Sequence, residues 1–285
     1  MGTPFISLLE PTPFPWDRTL PAEAQPNPSA IPRTFLDAMS VRQRVFVQEQ
    51  QIPQENEFDS DDLRSCHWVI YASVNETLAA AVTDPSTGAV LQPRRSSTTS
   101  LPIGTLRLVP FPHPPHPVVG GDYVDNQLVN PKPDPDDEKE KQQQQQKQEH
   151  QRKPSFTPDR STTYHDGTEP YVKLGRLAVR PEFRGRGIAR QLVRSAIAWM
   201  RQNPSYFDPS PAEQGFEQLG MEQGGTVPKW AGLICVHAQE EAVKVWERCG
   251  FKVDEGMGRW TEEGIPHVGM FLRVTLGSDG DGAMR

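Results

Sequence analysis

The chain has 285 residues, 35% of them hydrophobic, and a formal net charge of −7. That length allows one sizeable core or two small ones, and the low apolar fraction means that part of the chain cannot be buried. The negative balance argues against general affinity for nucleic acid. Three cysteines, Cys66, Cys235 and Cys249, stand outside any CxxC spacing. They argue against a disulfide framework or a zinc site and fit a reducing compartment. No apolar run approaches membrane-spanning length. The N-terminal region carries Glu10, Asp17 and Glu23 among many prolines, unlike a secretory signal or an Arg-rich transit peptide. The expectation is a soluble intracellular protein, cytoplasmic with the nucleus open, that binds no metal, nucleic acid or membrane.

Residues 1–32 read as a proline-rich arm in which Phe5 to Leu9 offers one edge strand. From Arg33 the pattern becomes helical: Phe35, Ala38, Met39, Val41, Val45 and Phe46 share one stripe, and Pro53 ends it. An acidic stretch follows (Glu55, Glu57, Asp59, Asp61, Asp62), suited to a cationic partner if it lines a cleft and otherwise a solvated loop. His67 to Ala72 reads as a strand, with further strand material at Leu78 to Val82 and Gly104 to Val109.

Residues 113–168 contain PHPPHP and a Gln- and charge-rich run with hardly any large apolar residue after Val129. Such composition cannot offset the entropy of ordering it, so a disordered insertion is expected there. Strand pattern resumes at Tyr171 and runs to Val179, followed by a helix from Ile188 to Arg201. Residues 203–228 read as a second loop, Ala231 to Val236 as a short strand, and Glu240 to Cys249 as a helix stopped by Gly250. Phe251 to Val253 and His267 to Val274 read as a hairpin-like pair, and residues 275–285 as a flexible tail.

The most informative stretch is LAVRPEFRGRGIA, Leu177 to Ala189. It places a strand, a tight Arg/Gly loop and a helix in direct succession. Gly185 and Gly187 lack a Cβ, so the backbone can turn sharply and approach a ligand. The amides of Ile188 and Ala189 fall in the first helical turn, where N–H groups lack intrahelical partners and the dipole is positive. That is an anion site suited to phosphate oxygens. It lacks the Gly-Lys-Ser/Thr of a P-loop and the GxGxxG of a dinucleotide fold.

Arg184, Gly187 and Ala189 match R/Q-x-x-G-x-G/A, and the chain here resembles the GNAT superfamily of N-acetyltransferases. The runs VRQRVFVQEQQIP (Val41 to Pro53), VHAQEEAVKVWERCGF (Val236 to Phe251) and EEGIPHVGM (Glu262 to Met270) resemble a small branch that includes ElaA-type proteins. The resemblance implies an α/β fold, a mixed and strongly twisted α+β sheet forming one domain over residues 33–274, with residues 113–168 and 203–228 interrupting it. It implies an acyltransferase that moves the acetyl group of acetyl-CoA to a primary amine of a small molecule or protein. A degenerate acyl-CoA-binding protein and an interaction protein acting through the insertion are the alternatives.

By the same resemblance, Arg184, Gly185, Arg186, Gly187, Ile188 and Ala189 would hold the pyrophosphate, and the backbone of Leu177, Ala178 and Val179 the pantetheine amides. The position of the family's thiolate-protonating tyrosine holds Trp246 in A-V-K-V-W-E-R-C-G-F. Indole only donates a hydrogen bond and is not a practical acid, so Trp246 is expected to pack against the pantetheine or fill the core. His237 is then the candidate catalytic residue and His267 a candidate at the substrate side. Arg42 falls within the apolar stripe of the first helix, which borders the acceptor cleft in the family. It is a substrate-site candidate, with structural pairing to Glu49 or an aspartate as the equal alternative. The acceptor and the oligomeric state are left open.

Overall fold

The computed structural model describes residues 5–129, 159–208 and 229–276. Its centre is a ten-stranded mixed sheet. In chain order the strands are β1 (Phe5–Leu9), β2 (Cys66–Ala79), β3 (Val82–Thr83), β4 (Val90–Gln92), β5 (Arg95–Val109), β6 (Asp122–Val124), β7 (Gln127–Leu128) and β8 (Val172–Val179). They continue with β9 (Leu233–Gln239), β10 (Lys252–Val253), β11 (Arg259–Glu262) and β12 (Ile265–Arg273). The sheet order is β1-β2-β5-β8-β9-β12-β11-β6-β7, with β10 also on β12, while β3 and β4 form a separate ribbon. The helices are α1 (Arg33–Arg42), α2 (Gln54–Glu57), α3 (Ile188–Gln202) and α4 (Val243–Glu247).

Strand alternation distributes the core over two faces. On β2, Cys66, Trp68, Ile70 and Ala72 join the cluster under α3 and α4, with Leu192, Ala196, Met200 and Trp246. Val69 and Tyr71 point to the other face and meet Phe35, Ala38 and Met39 of α1. The proline-rich arm belongs to that second cluster. β1 pairs antiparallel with β2 from Phe5↔Tyr71 to Leu9↔His67, as the edge-strand reading expects. Phe14 and Trp16 then set their rings edge-on to Phe35. Arm and helix share one buried aromatic cluster.

Two features set the geometry of the site. After Arg42 the first helix widens into a π-helical stretch, Gln43–Glu49, a variant that the 3.6-residue stripe does not distinguish from an α-helix. On β8, Arg176 has φ 49°, and the β5 register shifts between Thr105 and Arg107. This is a bulge with one extra residue on β8. The parallel pairing of β8 with β9 spans Val172↔Ile234 to Leu174↔Val236, just before the bulge, and beyond it the two strands separate. The strained Arg176 backbone is held by ion pairs of its guanidinium with Glu57 and Asp59.

Both flanks of the expected insertion are folded, which narrows the 113–168 reading. Its central part, 130–158, lies outside the described residues, as does most of the 203–228 loop (209–228) and of the tail (277–285). His113 stacks on Tyr171 with ring centroids 4.6 Å apart, and β6 pairs parallel with β11. Beyond the gap, Arg160 donates to the carbonyls of Pro117, Gly256 and Met257. Asp254 accepts from Thr162, Thr163 and Tyr164. These flanks are ordered by hydrogen bonds and ring stacking rather than by large apolar side chains, so composition could not reveal them.

Candidate active site

The separated ends of β8 and β9 open a cleft of about 610 Å³, within the size range of small-molecule sites. The π-helical stretch covers its mouth. Val41, Val45 and Phe46 pack on Ala178, anchoring that stretch to β8. At its C-terminal end two consecutive residues reach to opposite sides. Glu49 meets Arg184 in a bidentate pair at 2.6 and 2.7 Å, while the side-chain amides of Gln50 and Gln239 exchange hydrogen bonds of 3.0 Å. One turn therefore bridges the Arg/Gly loop and the end of β9.

That loop has the geometry of an anion cradle. Gly185 and Gly187 have φ of 74° and 75°, in the left-handed region, and Gly187 is the residue that precedes α3. A Cβ built at either position meets no atom within 4 Å, so the space before the helix is open to a ligand. Ile188 and Ala189 contribute first-turn amides to it. Arg184 also donates from Nε to the Val179 carbonyl at 2.9 Å. Arg186 places its guanidinium over the Phe183 ring, 5.8 Å from the centroid. Leu177, Ala178 and Val179 line the cleft along β8, and Trp246 lines it from α4 while packing edge-on to Phe251.

The other wall brings three polar side chains together. The turn Glu263–Gly264 has φ of 51° and 75°, a two-residue type I′ pattern that pairs Glu262 with Ile265. It places Glu262 at the end of β11 beside β12 and β9. His237 Nδ1 lies 2.9 Å from Glu262 Oε1, and Trp260 donates its indole N–H to the same oxygen at 2.8 Å. His267 Nε2 lies 3.8 Å from Glu262 Oε2, its Nδ1 meeting the Ile265 carbonyl. Burial, with Lys173 nearby, pushes the His237 imidazole down to about 4, so it is neutral at physiological pH. Burial opposes the Glu262 carboxylate, but the His237 hydrogen bond, with His267 and Lys173 close by, holds it well below the usual carboxylate range.

A neutral His237 that donates Nδ1–H to Glu262 keeps a lone pair on Nε2, which makes it a proton acceptor. His237 and His267 stand out singly in the sequence, but Glu262, which joins them, does not. EEGIPH carries that residue, but only the hairpin register brings it to His237.

Arg42 requires a correction. Its side chain is wholly buried and does not line the cleft. It bonds Glu57 through Nε at 2.7 Å and through Nη2 to the Glu57 carbonyl at 2.6 Å, and it pairs with Asp62. Arg107 links Asp59 and Asp62, and Arg176 links Glu57 and Asp59, so three guanidiniums and three carboxylates form one network under the cleft. The structural pairing to an aspartate is the one realised, and Glu49 is taken by Arg184. Glu57, Asp59 and Asp61 line the cleft, but all three are committed to arginines, Asp61 to Arg64 at 2.7 Å.

Among the described residues, no helix is long and apolar enough to cross a membrane. Comparison with curated proteins gives no match. Residues 155–208 match the acetyltransferase (GNAT) family. Similar solved structures include a candidate N-acetyltransferase from Lactobacillus plantarum, 19% identical with a TM-score of 0.44, covering 95% of this chain and 99% of that one. ElaA from Escherichia coli is 14% identical with a TM-score of 0.40 over 94% and 99%. Arabidopsis thaliana NAA60, solved in complex with acetyl-CoA, is 10% identical with a TM-score of 0.36 over 95% and 99%. The matched segment carries β8, the Arg/Gly loop and α3, the three elements that build the cradle beside the separated strands. Over residues 155–208 the chain thus matches the GNAT family, and the cradle that this segment builds agrees with the match.

Proposed function

We propose that the protein is an N-acetyltransferase that takes its acyl group from acetyl-CoA and delivers it to a cationic primary amine. The observation that carries this reading is that Arg184, at the entrance to the Gly185–Ala189 cradle, lines the same cleft as the His237–Glu262 pair. The open space beside the two glycines and the α3 amides fit the pyrophosphate of CoA. The gap between β8 and β9 fits the extended pantetheine. Acetyl-CoA supplies the acyl carbon and the thiolate leaving group.

In this reading the side chains position the acceptor and move its proton. Glu262 and Glu263 give the acceptor side a negative rim that favours an ammonium group in the approach. His237 Nε2 takes the proton from the acceptor nitrogen, while Glu262 fixes the ring and stabilises the imidazolium. A base with pKa of about 4 is adequate for this task. The ammonium first gives one proton to solvent and attacks as the neutral amine. Once its nitrogen bonds to the acyl carbon, the second proton, the one His237 takes, is far more acidic than that of an alkylammonium. No residue is required to protonate the thiolate, itself a good leaving group, which accommodates Trp246 at the tyrosine position.

A panel of primary amines and peptide N-termini, incubated with acetyl-CoA, tests the proposal by thiol release and mass-spectrometric product identification. Acetylated product with cationic amines is expected. Tight CoA binding without turnover on any acceptor would show a non-catalytic acyl-CoA-binding protein instead.

A further inference from the structure

We propose that His116, Asp159 and His165 form a binding site for a divalent transition-metal cation, best suited to zinc. The three residues come from the two flanks of the 130–158 segment. Each offers an atom within 4.8 Å of the other two, and both imidazoles are buried. His116 is the second histidine of the PHPPHP run, which has no part in the function proposed above.

The proton accounting of this cluster points to a cation. His165 Nε2 lies 2.9 Å from the Glu169 carbonyl oxygen, which can only accept, so Nε2 carries the proton and Nδ1 presents a lone pair. That lone pair faces His116 Nε2 at 2.8 Å. On the other edge of the His116 ring, Nδ1 sits 3.2 Å from Asp159 Oδ2, out of hydrogen-bond alignment, and is buried with no hydrogen-bond partner.

A neutral imidazole has one proton to place. On Nε2 it satisfies His165 but leaves a lone pair against the Asp159 carboxylate. On Nδ1 it leaves two ring lone pairs in contact. Protonating both nitrogens would satisfy both contacts, but it would place a full charge on a ring that is buried. A cation bound by His116 Nε2, His165 Nδ1 and the Asp159 carboxylate takes up both facing lone pairs, and the single His116 proton then sits on Nδ1, on the side of the carboxylate.

Two imidazoles and a carboxylate are a donor set that zinc accepts readily. The bond from His165 to the Glu169 carbonyl orients that ring as outer partners of metal-bound histidines do. Tetrahedral ligands at zinc bond lengths stand about 3.3 Å apart, so the two rings need to open by about half an ångström. Beside them is a cavity of about 20 Å³ lined by Asp159 and His165, enough for one water as fourth ligand. The cation would staple the 113–117 segment, which forms one wall of the cleft, to the 159–169 segment.

The test uses the untagged full-length protein, stripped with chelator and titrated with Zn²⁺ by calorimetry and with Co²⁺ by visible absorption. One equivalent of zinc, cobalt bands of a tetrahedral site and a rise in Tm with zinc are expected. His116→Gln and His165→Gln should each weaken binding at least tenfold and remove the Tm rise. Absence of stoichiometric binding to the folded wild type would overturn the site and leave a proton shared between Asp159 and His116 as the solution. So would unchanged binding in both folded variants, the sign of chelation elsewhere. The wild-type cobalt spectrum decides the matter if the variants do not fold.

Discussion

Glu49 and Arg184 lie 135 positions apart and meet in a bidentate ion pair over the mouth of the cleft, each about 40% exposed. The π-helical turn makes this possible, because it lets Glu49 reach the Arg/Gly loop while Gln50 reaches β9. In the proposed function the pair sets the carboxylate in competition with a CoA phosphate for the same guanidinium. Exposed pairs of this kind contribute about 0.2–1 kcal/mol, or roughly a 1.4- to 5-fold effect. Glu49→Gln is therefore expected to lower the Kd for CoA by a few fold, most visibly at low salt. Arg184→Ala should raise it. Calorimetry at two ionic strengths checks this, and a weaker affinity in Glu49→Gln would show that the carboxylate supports the loop instead.

Gly187 offers a cleaner test of the cradle. Its φ of 75° is disfavoured for any residue with a Cβ, and a β-branched side chain suffers most. Gly187→Val should lose about 1–2 kcal/mol of stability from the left-handed conformation. CoA binding should fall far more than that, since the side chain occupies the space beside the α3 amides. Thermal melts and calorimetry on one preparation separate the two effects. A folded Gly187→Val protein with wild-type CoA affinity would refute the phosphate assignment.

How much of this was legible in the sequence follows from which interactions are local. The cradle was readable because strand, glycines and helix start are contiguous and their backbone requirements are encoded in residue type. The α1 stripe was also readable, as Phe35, Ala38, Met39, Val41, Val45 and Phe46 are all buried. Its π-helical end was not, because apolar periodicity does not register one extra residue in a turn. The Arg42 network joins residues 15 and 20 positions apart through geometry that a helical wheel cannot show. Glu262 became visible only with the β11–β12 register. His116, Asp159 and His165 stood inside a stretch whose composition spoke for disorder.

Acid should destabilise the fold above the carboxylate range. His67 and His237 are each pushed down to about 4 by burial, against an ordinary value of 6.5. Their folded-state values are depressed, so the unfolded chain takes up protons first as pH falls. Their contribution is complete above pH 6.5 and is lost as pH falls from 6.5 towards 4. At pH 5.5 each costs about 1 kcal/mol. Asp59, held low against its burial by Arg107 and Arg176, adds its loss only below its unfolded value of 3.8. Urea melts at pH 7.5 and 5.5 should show the drop, and His67→Gln should reduce it by about 1 kcal/mol. An equal loss in that variant would exclude His67 as a source.

Arg42 is expected to govern stability and leave acceptor binding alone. Removing it strands Glu57 and Asp62, both nearly fully buried, with one cation fewer between them. Breaking a buried pair in this way costs about 3–5 kcal/mol. Arg42→Ala should unfold at markedly lower denaturant, and Arg42→Lys should recover part of the loss because it restores charge without the planar fork. Where Arg42→Lys folds, its KM for the amine should match the wild type. A selective rise in that KM would return Arg42 to the substrate site.

The last prediction concerns the proton. If His237 is the base, His237→Ala should lower kcat by about 10²–10⁴ with a much smaller change in KM. Glu262→Gln removes the neighbouring charge that favours the imidazolium, so it should weaken the base and lower kcat in the same direction. The acid limb of the wild-type kcat profile should lie near pH 4, set by the depressed His237 value, and not near 6.5. Trp246 takes no part in this scheme. It is buried against Phe251, so Trp246→Tyr should leave kcat flat and lower Tm through the void left by the smaller ring. Steady-state kinetics on the three variants, with melts to confirm folding, distinguish the outcomes. An unaltered kcat in His237→Ala together with a large gain in Trp246→Tyr would mean that thiolate protonation, not amine deprotonation, limits turnover.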